Sequence, residues 1–303
     1  MTEHEFTLAD RIAKIRSINE QFDLEHNAYV SFSGGKDSTV LHYLIDEALP
    51  GNRIPRVFIN TGIEYKLILK FVKEMAAKDD RFVIWTVGKN IKNTLNNVGW
   101  PFKSKEHSLK LRMWKSGSRA PSILKYFREV EGCNMPCPKS LMYQKDSSFN
   151  INISDRCCFE FKKKPAQEYA KQSGRFITIT GMLKEEQGQR STINCIVTDD
   201  KGKIKKFHPL SVVSHEWEKW YIDNKSIQLA LKLSRVWTPY TSRSNKVVRW
   251  VIQCGQLDTL EQLMPEEKKR CEWLWKPIYD EYRRIGYRLR KKDNLQQSLF
   301  EGL

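Results

Sequence analysis

Leu8, Ile12, Ile15, Ile18 and Phe22 recur at the three- and four-residue spacing of one helix face, which predicts an amphipathic helix over 7–22. The pattern then changes. Tyr29, Val30 and Phe32 predict a strand over 29–33, and helical spacing returns over 37–48. RVFINTG (56–62) predicts a second buried strand, 64–78 a helix and RFVIWTV (81–87) a third strand. Short β-α-β-α-β crossovers of this kind predict an α/β fold with a doubly wound parallel sheet. Such sheets bind ligands beyond the carboxyl ends of their strands.

The regular alternation breaks at 99–156, where Gly, Pro, Ser and Asn separate helical pieces, as expected of an insertion or a lid over a site. It resumes with a helix over 160–172 and a strand over 175–181. TDDKGK (198–203) predicts a hairpin turn between two short strands. HEWEKWYIDN (215–224) opens a helical C-terminal region, 265–292 is a long helical stretch, and DNLQQSLFEGL is a polar tail. The expected organisation is an α/β domain over 1–215, a helical region over 216–290 and a flexible tail over 291–303.

The first strand runs into SGGKDS. Gly34 and Gly35 let the backbone approach a ligand closely. The following helix start offers unpaired N–H groups and the positive end of its dipole. Ser33 and Ser38 add hydroxyls and Lys36 a charge, a set suited to phosphate, pyrophosphate or sulfate. The loop is not a Walker A motif, because no glycine stands at the required earlier position. The plainer reading is a tight turn with a solvated lysine.

Charge and cysteine usage narrow the partners. The 303 residues carry 52 Lys and Arg against 36 Asp and Glu, a net charge of +16. The excess gathers at 162–164, in KGKIKK (201–206) and in RRIGYRLRKK (283–292). Such clusters favour polyanions, whether nucleic acid or phosphorylated substrates, while any single one reads better as solvated surface. No run of 18 apolar residues is present, so no membrane span is expected, and the acidic N-terminus is unlike a signal peptide. A cytoplasmic location follows as the default. Seven cysteines, an odd number, argue against a disulfide framework. Cys157 and Cys158 are adjacent and suggest a thiol or metal role, and the basic neighbours Arg156 and Lys162–Lys164 are expected to favour thiolate. Cys133 and Cys137 form a Cys-x₃-Cys in an irregular loop, near enough in sequence to add to a thiolate set, though two unrelated loop thiols is the favoured reading.

SGGKDS after one strand, NTGIE after the next, Cys-Cys before KKKP, and ITGMLKEEQGQR together resemble the phosphoadenosine phosphosulfate (PAPS) reductase family. That family belongs to the PP-loop group of adenine nucleotide α-hydrolases, with ATP pyrophosphatases and sulfur-transfer enzymes among its relatives. The resemblance spans about residues 28–215 and resumes at 255–290. It implies that Ser33, Gly34, Gly35, Lys36, Asp37 and Ser38 cradle the phosphates of ATP or PAPS. Asn60, Thr61, Gly62 and Glu64 would lie beside the nucleotide, and Gly181, Glu185, Glu186 and Arg190 would line the far side of the crevice. Arg190 suits a phosphate oxygen, and Glu185 with Glu186 suits Mg²⁺. Lys36, Asp37, Cys157, Cys158, Glu185 and Arg190 are the expected catalytic groups.

The chain departs from the family in two places. The last cysteine is Cys271, so the tail carries no nucleophilic thiol, which weakens direct PAPS reduction. Iron–sulfur relatives pair a Cys-Cys with a later Cys-x-x-Cys, whereas here Cys157 and Cys158 are followed by single Cys254 and Cys271. The segment 240–256, where that motif belongs, reads unlike the family, as a diverged or frame-disrupted stretch would. Three readings stay open: sulfonucleotide reduction, ATP-dependent sulfur modification of tRNA or DNA through adenylyl transfer, and a nucleic-acid-binding module with a degenerate pocket. In the tail, QQSLF resembles the peptide by which bacterial DNA-handling proteins bind the replication sliding clamp, with Leu299 and Phe300 as the apolar pair. Docking of that pair on the protein's own surface is the competing account.

Overall fold

The computed structural model describes residues 1–185, 193–229, 269–270 and 273–285. These fall into two compact units. One contains Met1–Gly88 and the described residues from Lys162 to 229; the other contains Lys89–Phe161 and the described residues from 269 onward.

The first unit opens with α1 (Glu3–Phe22), whose Thr2–Glu5 capping box satisfies its end donors. The short α2 (Leu24–Asn27) leads into β1 (Ala28–Ser31), α3 (Lys36–Ala48), β2 (Arg56–Asn60), α4 (Lys66–Lys78) and β3 (Phe82–Thr86). The helices of the second unit, α5 (Ile91–Val98), α6 (Lys105–Lys115) and α7 (Pro121–Tyr126), follow. The chain returns through a π-turn at Phe159–Lys163 into α8 (Lys164–Ser173) and β4 (Ile177–Ile179). Next come β5 (Ile196–Thr198), β6 (Ile204–Phe207) and α9 (His215–Asn224).

The described strands form one sheet in the order β3-β2-β1-β4-β6-β5. β1 pairs in parallel with β2 and β4, β2 with β3, and β4 with β6; β5 runs antiparallel to β6 across the TDDKGK turn. The expected doubly wound sheet is therefore present. Alternation along β1 sends side chains to both faces. Ala28 and Val30 join a core with Ile15, Leu41, Leu44 and Trp217, while Tyr29 joins Val57 and Tyr169. Trp217, Tyr221 and Ile222 place α9 within the core of this unit, because its apolar face has α3 to pack against. The strands are shorter than the apolar runs that predicted them: Phe32 and Ser33, and Thr61 and Gly62, already belong to the loops at the strand ends.

Arg56 starts β2 and is fully buried. It donates to His42 Nδ1 (3.1 Å), Asn52 Oδ1 (2.8 Å) and Asp46 Oδ1 (2.6 Å). Arg81 pairs with the same Asp46 carboxylate and with Asp79. This ionic knot lies at the end of β2 opposite the NTGIE loop. A surface pocket of about 840 Å³ outside it is lined by Asp46, Asn52, Arg53, Asp79 and Arg81.

In the second unit, Trp100 bridges to Ile153, and α6 packs on α7 and on a 3-10 turn at Lys139–Lys145. His107 is fully buried between Tyr126 Oη (2.9 Å) and Gln144 Oε1 (2.8 Å). The predicted stretch 265–292 is described at 269–270 and 273–285, where α10 (Lys276–Arg284) sets Glu281 against Tyr143. The 240–256 segment, Cys254, Cys271 and the tail with Leu299 and Phe300 lie outside the described residues.

Candidate anion-binding site

Strand order reverses between β1 and β4. The chain winds outward from β1 through β2 to β3, then comes back to lay β4 on the other side of β1. The carboxyl end of β1 is therefore a topological switch point, the place where open α/β sheets present a crevice. SGGKDS occupies it.

The loop is held by its own hydroxyls. Ser38 Oγ donates to Gly35 O (2.9 Å) and accepts the Ser33 N–H (3.2 Å); Thr39 Oγ1 also donates to Gly35 O (2.9 Å). The Gly35 N–H reaches Ser33 Oγ at 3.4 Å. Gly34 sits at φ +69°, and a Cβ there would stand 2.9 Å from Ile68 Cγ2 of α4. Both the left-handed backbone and the close approach require glycine. Gly35 caps α3 and brings no side-chain acceptor to the first-turn N–H groups, which leaves that end of the helix suited to an anion.

Gly181 follows β4. A Cβ on it would lie 2.6 Å from Asp37 O and 3.2 Å from Ser38 N. The backbone after β4 thus touches the start of α3 directly, and that contact closes the switch point around the loop.

At the end of β2, Thr61 donates through its N–H to Glu64 Oε2 (3.0 Å) and through Oγ1 to Glu64 Oε1 (2.6 Å). The Gly62 N–H donates to Asn60 Oδ1 (3.2 Å), with Gly62 at φ +83°. Asn60 Nδ2 reaches Thr86 Oγ1 at 3.4 Å. These four residues form a self-bonded turn on the strand next to β1, in which Glu64 holds the loop.

Two residues that the sequence reading passed over complete the cluster. Lys36 Nζ donates to Glu218 Oε2 and stands 3.2 Å from His215 Nδ1 and 3.5 Å from Asp37 Oδ1. His215 Nδ1 is 3.2 Å from Glu218 Oε2, and the His215 backbone N–H donates to Glu185 Oε2 (2.7 Å). Burial pulls the Lys36 ammonium towards neutrality, but Glu218 and Asp37 together outweigh it and leave its pKa above the ordinary value. His215 is also raised, chiefly by its bond to Glu218, against burial and the Lys36 charge. Glu218 is fully buried. Glu218 Oε1 and His215 Nε2 are buried without a partner among the described residues, a cost of about 1–3 kcal/mol for each such group. The signal was present in HEWEKWYI: a glutamate on the buried helix face shared by Trp217, Tyr221 and Ile222.

The structure thus brings Ser33, Gly34, Gly35, Lys36, Asp37 and Ser38 together with Gly181 and, through His215, with Glu185. Glu186 and Arg190 lie outside the described residues. Cys157 and Cys158 belong to the other unit. The basic run after this pair was expected to favour thiolate. Instead burial, with help from Cys158 and Asp155, pushes the Cys157 thiol up to about 12. Cys137 is likewise buried and raised to about 11. Cys133, Cys137, Cys157, Cys158 and Cys195 are free. Among the described residues no group of three or more His, Cys, Asp or Glu is placed to hold a metal. Cys254 and Cys271, the later cysteines of a four-thiolate set, lie outside the described residues.

A family model, the phosphoadenosine phosphosulfate reductase domain, matches residues 27–231. An uncharacterized protein of Methanocaldococcus jannaschii is 40% identical over 73 residues, which is 24% of this chain and only 17% of that relative. A PAPS reductase from Candida auris, in a phosphate complex, is 17% identical with a TM-score of 0.41 over 72% of this chain and 83% of its own. A U34-tRNA thiolase from Methanococcus maripaludis, with its 4Fe–4S cluster, is 15% identical with a TM-score of 0.40 over 96% of this chain and 84% of its own. No described helix is long and apolar enough to cross a membrane.

Proposed function

The chain belongs to the phosphoadenosine phosphosulfate reductase domain family, and from that premise we propose that it binds an adenine nucleotide at SGGKDS for sulfur transfer, sulfur reduction or adenylyl transfer. The observation that carries the reading is the anchored loop at the β1–β4 switch point, with Lys36 at the start of α3. Gly34 and Gly181 let the loop pack tightly against α4 and against the backbone that follows β4, which fixes the start of α3 where a phosphate would meet it.

ATP and PAPS both present that cradle with a phosphate chain. Of the two, ATP fits the net charge of +16 better, because adenylylation of a tRNA or DNA acceptor needs a surface that holds a polyanion. In that reaction ATP adenylylates the acceptor and the loop holds the released pyrophosphate; the outer sulfur of a persulfide attacks the acceptor and displaces AMP, and a second thiol breaks the S–S bond and is left in a disulfide. Glu185, a hard carboxylate donor beside the loop, would hold Mg²⁺, which screens phosphate charge. Cys158 is the more exposed thiol of the adjacent pair and the better placed to carry sulfur. A cytoplasmic setting and docking on a bacterial sliding clamp through Leu299 and Phe300 complete the proposal.

ATP–pyrophosphate exchange tests it. Exchange stimulated by tRNA or DNA supports the adenylylating reading. PAPS-dependent release of sulfite without exchange supports reduction. Neither activity, in a protein that retains no nucleotide, overturns both.

A further inference from the structure

Glu218 is a carboxylate with no exposure, on a helix face otherwise given to Trp217, Tyr221 and Ile222. A buried charge of this kind is costly unless it is paired. Its partner is Lys36, the cation at the start of α3 in the anion cradle, and its second oxygen has no partner among the described residues.

We propose that Glu218 is a positioning residue for the anion loop: it holds the Lys36 ammonium while the loop is free of ligand and yields it to phosphate oxygens when they arrive. The inference rests on the reading of SGGKDS as a phosphate cradle and adds to it a residue from outside the loop.

The geometry supports the exchange. An ammonium has three donors. Glu218 takes one, Asp37 at 3.5 Å lies within reach of a second, and His215 Nδ1, 3.2 Å from both Lys36 Nζ and Glu218 Oε2, accepts from the lysine only when it does not hold the proton it donates to Glu218. All three neighbours are anchored. Asp37 is in the first turn of α3, and His215 and Glu218 are in the first turn of α9, where Ser214 caps the helix by accepting the Trp217 N–H (3.0 Å). The lysine stem is the mobile partner, and its side chain keeps 18% of its surface exposed. A bound phosphate group therefore competes with a carboxylate for the same ammonium. Ligand affinity is reduced by the fraction of lysine that Glu218 retains. In return, the lysine is kept charged and near the helix start, and Glu218 is spared an unpaired buried charge whenever the site empties.

The test is calorimetric titration of the whole chain with inorganic pyrophosphate, for the wild type, Glu218→Gln, Lys36→Ala and the double variant. Glutamine keeps the shape and one acceptor oxygen of the side chain, exchanges the other oxygen for an NH₂ donor and removes the charge. Glu218→Gln is expected to bind pyrophosphate about tenfold more tightly than the wild type, a difference of about 1.4 kcal/mol. The gain should vanish in the Lys36→Ala background, because it acts through the lysine. A purely structural role for Glu218 would not produce that coupling. Lys36 should also react faster with an amine-acylating reagent in Glu218→Gln, since it loses the contact that holds it protonated. Thermal unfolding identifies any variant that fails to fold, and Glu218→Met then serves as a second uncharged replacement. Equal or weaker pyrophosphate binding by the folded uncharged variants overturns the proposal, as does a gain that persists without Lys36. A wild type that binds no pyrophosphate overturns the cradle reading itself.

Discussion

Gly181→Ala is the sharpest single perturbation of the cradle. The added Cβ would meet Asp37 O at 2.6 Å and Asp37 C at 2.9 Å, whereas ordinary contact begins near 3.4 Å. The obstacle is backbone, so it cannot rotate away. The segment after β4 and the start of α3 must part by about 0.8 Å, and overpacking of that size typically costs about 1–3 kcal/mol. The same movement carries the first-turn N–H groups of α3 away from a bound phosphate, from about 2.9 Å towards 3.7 Å, beyond hydrogen-bond range. Loss of one such charge-assisted bond is worth about 1.5–3 kcal/mol, or tenfold or more in affinity. Calorimetric titration with ATP, paired with thermal unfolding, reads both effects. Gly88→Ala is the control, because a Cβ there meets nothing within 4 Å. Wild-type affinity and melting temperature in Gly181→Ala would refute the close approach.

Other consequences are equally direct. Arg56→Ala takes the buried donor from His42 Nδ1, removes one donor to Asn52 Oδ1 and leaves Asp46 paired with Arg81; it should cost about 3 kcal/mol in chemical denaturation, with ATP affinity unchanged because the knot lies at the far end of β2. His42, His107 and His208 are buried and lowered to about 4, chiefly by desolvation. The unfolded chain binds their protons first, so stability falls as pH drops from about 6.5 to 4, by about 2 kcal/mol per histidine between pH 7.5 and 5. His215, raised by Glu218, acts in the opposite sense and offsets part of that loss. Melting temperatures that stay level from pH 7.5 to 5 would contradict these assignments. For the tail, the wild type should recover a bacterial sliding clamp in a pull-down and Leu299→Ala/Phe300→Ala should not; equal recovery would remove the clamp as a partner.

The sheet was legible because periodicity switches cleanly between 2 and 3.6 along 7–87, and both faces of β1 are covered. The loop was legible because glycines and hydroxyls carry local geometry: Gly34 needs its positive φ, and Ser38 bonds within five residues of itself. Glu218 and His215 escaped notice because their meaning depends on Lys36, 182 and 179 positions away. HEWEKWYIDN read correctly as a helix, but helical spacing does not show which face meets which neighbour. Cys157 misled for the same reason. Lysines next in sequence suggested a thiolate, while burial, which sequence order does not reveal, raises the thiol instead.

The central claim is that SGGKDS holds the phosphates of an adenine nucleotide. Calorimetric titration of ATP and of PAPS into the wild type and Lys36→Ala tests it most directly. The account predicts saturable binding of at least one of the two, about tenfold or more weaker in Lys36→Ala. Binding of neither nucleotide, or equal affinity in a folded Lys36→Ala protein, would contradict it.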